Sequence, residues 1–252
     1  MATVFEKLTA IADAIRSRTG GDSALSLDDM ASGIDEVYEA GEDTIWDKVL
    51  NGGTRTNCEQ TFSRWNCEYI RPPFVWKPNT RTIECFQLNN KLKKIEKQYF
   101  DFSGCPKNQT STSGHYYTFY YCPNLEVVED IGLPACSYTG TWHNCLKLHT
   151  IELVRSTKTT GYSNAFTSCV ELVYIRFEGE IGQNITLMHS GKLSVESVVD
   201  ILQHLADLTG ETAKTITFHD TVKTRMAEQG AMSELDGKTY DAYITDKGWN
   251  LA

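Results

Sequence analysis

Apolar residues change their spacing twice along the chain. From Phe5 they recur as Leu8, Ile11, Ala12 and Ile15, one face of a helix, until Gly20 and Gly21 stop it. Ser26, with Asp29 three residues on, makes a capping-box pattern with Asp in the Glu role and opens a second helix through Met30, Ile34 and Val37. The stretch GEDTIWDKVLNGG holds a third short helix, capped by Thr44 and ended by Gly52 and Gly53. The pattern predicts a helical segment over residues 1–52, too small for much of a core and suited to attachment or oligomerisation.

After that segment the spacing becomes a repeat. YTFYYCPNLEVVEDI, GTWHNCLKLHTIELV and NAFTSCVELVYIRFE each place an aromatic, then Cys, then Leu, then Val or Ile at intervals of three. The positions are Phe119, Cys122, Leu125, Val128; Trp142, Cys145, Leu148, Ile151; and Phe166, Cys169, Leu172, Ile175, with copies 23 and 24 residues apart. CFQLNNKLKKIEK is an earlier copy, with Phe86, Leu92 and Ile95 in place and Asn89 where Cys belongs. RWNCEYIRPPF, around Cys67, is a degenerate first copy in imperfect register. A period of roughly 20–29 residues predicts a solenoid in which each unit supplies a short strand and a turn and covers its neighbour's apolar side. LHTIELV and LVYIRFE have the alternating, β-branched character of strands. The aromatic and Cys should point inward as ladders, Cys serving as a small, polarisable hydrophobe.

Beyond residue 180 the repeat is lost. Ser194 is placed to cap a helix whose stripe is Val195, Val198, Val199, Leu202 and Leu205. KTITFHDTV reads as a last strand through Ile216 and Phe218, and Trp249 and Leu251 offer apolar plugs. Such an atypical end keeps a stack of repeats from exposing its core.

With these aromatic–Cys–Leu–Ile units, the segment from about residue 60 to 178 resembles the BspA-like leucine-rich repeat family. The tail, LSVESVVDILQHLADLTG onward, resembles the segment that closes such repeats in phage and prophage proteins of gut bacteria. IADAIRSRTGG followed by LSLDDMASGI resembles the N-terminal segment of phage tail-associated proteins. The resemblance implies structural, adhesive or host-recognition roles, seldom catalysis. The expected fold class is α+β: a leucine-rich-repeat solenoid of short parallel strands over 53–180, a helical segment over 1–52 and an α/β C-terminal cap over 181–252.

Composition narrows the partners. Of 252 residues 40% are hydrophobic and 23% charged, as in a soluble globular chain, and a net charge of -9 lacks the basic footprint of a nucleic-acid binder. No apolar run approaches the roughly 18 residues of a membrane span. Glu6, Lys7 and Asp13 fall where a signal peptide needs an apolar stretch, so no secretory signal is expected and the sequons at Asn108 and Asn184 should stay idle. Eight cysteines in so long a chain are too sparse for a disulfide scaffold, which favours reduced, buried thiols.

One stretch does invite chemistry: His143, Cys145 and His149 fall within seven residues. A zinc site wants a second ligand pair, which nothing here supplies, and sister copies carry Tyr120 and Thr167 in place of His143. The cluster therefore reads as repeat structure, with no metal, cofactor or catalytic residue expected. No nucleophile elbow, P-loop, zincin or dinucleotide fingerprint occurs. Paired acids for glycan cleavage are spatial and leave no spacing to read.

The irregular feature is repeat length. Phe86 to Phe119 spans 33 residues, about ten more than later copies, and the excess lies in DFSGCPKNQTSTSGHYY. Insertions in repeat proteins map to loops on one face, often the binding face, and Tyr gives contact area at low entropic cost. His115, Tyr116, Tyr117, Tyr120 and Tyr121, with Trp76 in the second irregular loop RPPFVWKPNTR, are the candidate binding residues, part of the cluster also fitting plain packing. The expectation is a non-enzymatic virion protein of tail or fibre, made in the bacterial cytoplasm, binding a host-surface receptor (protein or glycan) or other virion proteins. A homo-oligomer, a trimer, is expected, with no nucleic acid and no membrane insertion. The alternatives are a bacterial repeat protein for protein–protein interaction or adhesion, and a glycan-cleaving tail enzyme.

Overall fold

The computed structural model describes residues 60–72, 75–78, 81–105, 107 and 114–252. The chain divides into two units, Met1–Arg55 and Thr56–Ala252, and only the second is described below. The helices expected over residues 1–52 lie outside the described residues. The fold is α+β, with short parallel strands in two sheets and few helices.

The first sheet takes one strand from each copy of the repeat, in chain order: β1 (Lys94–Ile95), β2 (Val127–Val128), β3 (Thr150–Ser156) and β4 (Tyr174–Gly179). All pairings are parallel, and the register puts Ile95, Val128, Ile151 and Ile175 beside one another. Tyr69 extends the sheet by a parallel bridge to Lys94. These branched residues are buried, as are Leu92, Leu125, Leu148 and Leu172 three residues before them.

The aromatic turns stack as regularly as the strands. Phe62 lies on Phe86 and Phe86 on Phe119, each with centroids 5.2 Å apart, and Trp142 lies on Phe166 at 5.3 Å. Phe62 is thus the aromatic of the degenerate first copy, which ends on buried Ile70 eight residues later instead of nine. That one-residue deletion is why its register looks imperfect.

Within each turn, the N–H groups two residues before the aromatic, at it and two after it all point along the stack. Gln60, Phe62 and Arg64 donate to the carbonyls of Ile83, Cys85 and Gln87. The same triplet recurs from Glu84, Phe86, Leu88 to Tyr116, Thr118, Tyr120, and from Tyr117, Phe119, Tyr121 to Thr139, Thr141, His143. Gly140, Trp142 and Asn144 continue it to Ser163, Ala165 and Thr167. The flanking positions are left-handed in all five copies: Gln60 and Arg64, Glu84 and Leu88, Tyr117 and Tyr121, Gly140 and Asn144, Asn164 and Ser168, with φ between 53° and 62°. A residue bearing a Cβ is strained there by roughly 1–2 kcal/mol, a cost offset by the backbone bonds the conformation permits.

The ladder cysteines are more than hydrophobes. Cys122, Cys145 and Cys169 each donate Sγ–H to the carbonyl of the preceding copy's aromatic, Phe86, Phe119 and Trp142, at 3.1 Å. A buried acceptor is satisfied by the smallest side chain that carries a donor and still packs as an apolar group.

Beyond β4 the chain builds a second parallel sheet, order β5–β6–β7, from β5 (Ile185–Leu187), β6 (Lys214–Phe218) and β7 (Trp249–Leu251). Helices α1 (Val195–Gln203), α2 (Asp220–Gln229) and α3 (Tyr240–Asp246) accompany it. Ser194 caps α1 by accepting from the Ser197 N–H. The same helix covers the open edge of β4: Ser197 Oγ accepts from Ile175 N at 3.0 Å and Asp200 Oδ2 from Phe177 N at 2.7 Å. Asp200 repeats a role held by carboxylates inside the stack, where Glu129 accepts from Lys97 N and Glu152 from Asp130 N. The equivalent backbone position one copy earlier is Pro72, which has no N–H, and Glu96 pairs with Arg71 instead. Among the described residues no helix is long and apolar enough to cross a membrane.

Candidate recognition surface

The long insertion enters the stack just before Phe119, and its aromatic end divides between inside and outside. His115 is inside, at 2% exposure. Its Nε2 lies 2.9 Å from the Pro134 carbonyl, which can only accept, so Nε2 carries the proton and Nδ1 accepts from Thr82 Oγ1 at 2.6 Å. Burial lowers its pKa to about 4, against the hydrogen bond to Pro134. His115 is a neutral staple between two copies, and the structure corrects its expected place among surface contacts. Trp76 is corrected in the same way: at 8% exposure it packs edge-on against Phe62 and Phe102, with centroids 4.9 and 5.7 Å away. His115 is held inward by Thr82, Pro134 and the Tyr138 ring, and Trp76 by the rings of Phe62, Phe100 and Phe102.

The four tyrosines remain at the surface and form one band. Tyr116 and Tyr117 have ring centroids 4.1 Å apart, Tyr117 and Tyr120 4.7 Å, and Tyr120 and Tyr121 6.0 Å. Tyr121 is the most open, at 46% exposure. Partial burial, then the neighbouring Tyr116 hydroxyl, pushes the Tyr117 phenol above its usual pKa. The Tyr117 ring lies over Gly140 of the next copy, where an added Cβ would stand 1.9 Å from Cε1. The ring is what requires glycine at Gly140, and the φ of 62° favours it as well. On the other side, Gln60 and Gln87 both donate to the Glu84 carboxylate, giving the band a polar border.

His143 belongs to this band rather than to a thiol site. It meets Tyr120 edge-on, with centroids 5.3 Å apart, and burial followed by the proximity of His189 lowers its pKa. Cys145 is turned into the core, where desolvation raises its pKa well above that of a free thiol. His149 is exposed and pairs with its neighbour Thr150. The three residues do not converge, and among the described residues no group of three His, Cys, Asp or Glu side chains is placed to hold a metal ion. Sequence reasoning overlooked His143 as a tyrosine neighbour, although its alignment with Tyr120 in the repeat was the signal for it.

Comparison of the chain with protein-family models, with curated proteins and with solved structures gives no match.

Proposed function

We propose that this chain is a non-enzymatic recognition protein of a phage or prophage particle. Its repeats would form a leucine-rich-repeat solenoid that presents the tyrosine band to a host-surface receptor, protein or glycan, or to another virion protein. The solenoid reading draws support from the single register shared by successive strands, aromatics and ladder cysteines.

One observation carries the recognition role. Tyr116, Tyr117, Tyr120 and Tyr121 are successive ring neighbours, with centroids 4.1, 4.7 and 6.0 Å apart, in one band that ends on the exposed Tyr121. Tyrosine gives large contact area at low entropic cost, so four neighbouring rings fit a contact role.

The carboxylates of the strand face support the non-enzymatic part. Burial pushes the Glu129 carboxyl up, but Lys94 and the Lys97 N–H bring it below its usual pKa, and Arg155 lowers that of Asp130, whereas a general acid in glycan cleavage needs one raised. Residues 1–52 would attach and oligomerise the chain, a trimer raising avidity for repeated receptors.

Gold-labelled antibody against the segment around Tyr117, applied to intact particles, tests this reading. Decoration of tail or fibre with inhibition of adsorption is expected, and unlabelled particles would refute a virion role in favour of a bacterial adhesion protein. New reducing ends from host polysaccharide would revive the enzymatic alternative.

A further inference from the structure

The ladder of turns ends at Asn164, Phe166 and Ser168. In every earlier copy the corresponding N–H groups meet carbonyls of the next turn, but here none of the three meets an acceptor among the described residues. A cleft of about 570 Å³ opens beside Asn164, the first of these three, between the last turn and the second sheet, a volume in the range of small-molecule sites. Ser163 and Asn164 line one wall, and Asn184, Thr186, Thr215 and Thr217 the other.

The second wall is a regular array. Thr186 and Thr217 are partners across β5 and β6, and Thr215 lies two residues from Thr217, on the same face of its strand. The Asn184 carboxamide oxygen accepts from Thr215 N at 2.8 Å, which turns its amino group into the available donor. No Asp, Glu, Lys or Arg is among the lining residues.

We propose that this cleft binds a neutral sugar. Hydroxyls that donate and accept, amide groups and a free backbone N–H match the alternating donors and acceptors of a sugar ring. Without a cationic side chain, the cleft offers no charge to offset the desolvation of a carboxylate or phosphate. An apolar ligand would leave the threonine hydroxyls and the Asn164 N–H unpaired. The cleft lies two copies along the stack from the tyrosine band, so the proposal does not depend on the function assigned to that band.

Amide chemical shifts of the full chain, followed by ¹H–¹⁵N NMR during titration with glucose, galactose, mannose, N-acetylglucosamine and glucuronate, test it. At least one of the neutral sugars is expected to move the resonances of Asn164, Thr215 and Thr217. In the T215V/T217V variant, which keeps side-chain shape and strand preference, its affinity falls about tenfold. The same variant should keep the unperturbed spectrum elsewhere, which separates loss of binding from loss of fold. Shifts with none of the sugars, with glucuronate alone, or confined to the tyrosine band would overturn the proposal.

Discussion

Gly140 is where one residue's geometry decides what the surface can be. Gly140→Ala adds a Cβ where the Tyr117 ring lies and forces a left-handed alanine, so it should cost about 1–3 kcal/mol and displace Tyr117. Gly161→Ala meets nothing closer than 3.6 Å, has no positive φ, and should leave the unfolding midpoint nearly unchanged. Thermal denaturation of both variants, with tyrosine fluorescence, reads the contrast. His115 makes a second prediction. An unfolded chain protonates this histidine near pH 6.5, whereas the folded one resists until about 4. Between those values the unfolded state binds the extra proton, so stability should fall by up to about 1.4 kcal/mol per pH unit as the pH drops. His115→Gln should flatten that part of the profile in denaturant titrations, even though it lowers stability at neutral pH. Cys122, Cys145 and Cys169 are buried with raised pKa values, so mass spectrometry after brief alkylation of the native protein should find them unmodified. Their labelling before global unfolding would contradict the ladder.

At the scale of elements, the edge of β4 is the exposed flank of a parallel sheet, and α1 closes it with two side chains. Asp200→Ala leaves the Phe177 N–H without its acceptor and should cost about 1–3 kcal/mol, whereas Asp200→Asn retains an oxygen and should cost less. An uncovered edge also favours self-association, so light scattering should show Asp200→Ala aggregating first. Much of this architecture was legible in the sequence. The interval of three that links Trp142, Cys145, Leu148 and Ile151 placed all four in the core, and Ser194 declared the start of α1. The left-handed positions were not legible, because Gln60, Glu84, Leu88 and Tyr117 are not residues that announce a positive φ. Their conformation is imposed by the neighbouring copy through backbone bonds that no side-chain pattern records. Phe62 was missed because a missing residue broke the spacing, and the inward turn of Trp76 and His115 depended on partners distant in sequence.

Across the whole molecule, stacking converts a short motif into a surface. Each turn contributes one row, and the rows from Tyr117 to Asn144 gather tyrosine, glycine and His143 into a single band. Oligomerisation through residues 1–52 would multiply that band, and light scattering on the full chain should give a trimer. A monomer at micromolar concentration would remove the avidity argument while leaving the band intact. The measurement that bears most directly on the recognition role is the binding of fluorescently labelled full-length chain to intact host bacteria, compared with a Tyr120→Ala/Tyr121→Ala variant of unchanged unfolding midpoint. Saturable binding that weakens at least about tenfold in the variant is the predicted result; equal binding by both chains, or none by the parent chain, would contradict it.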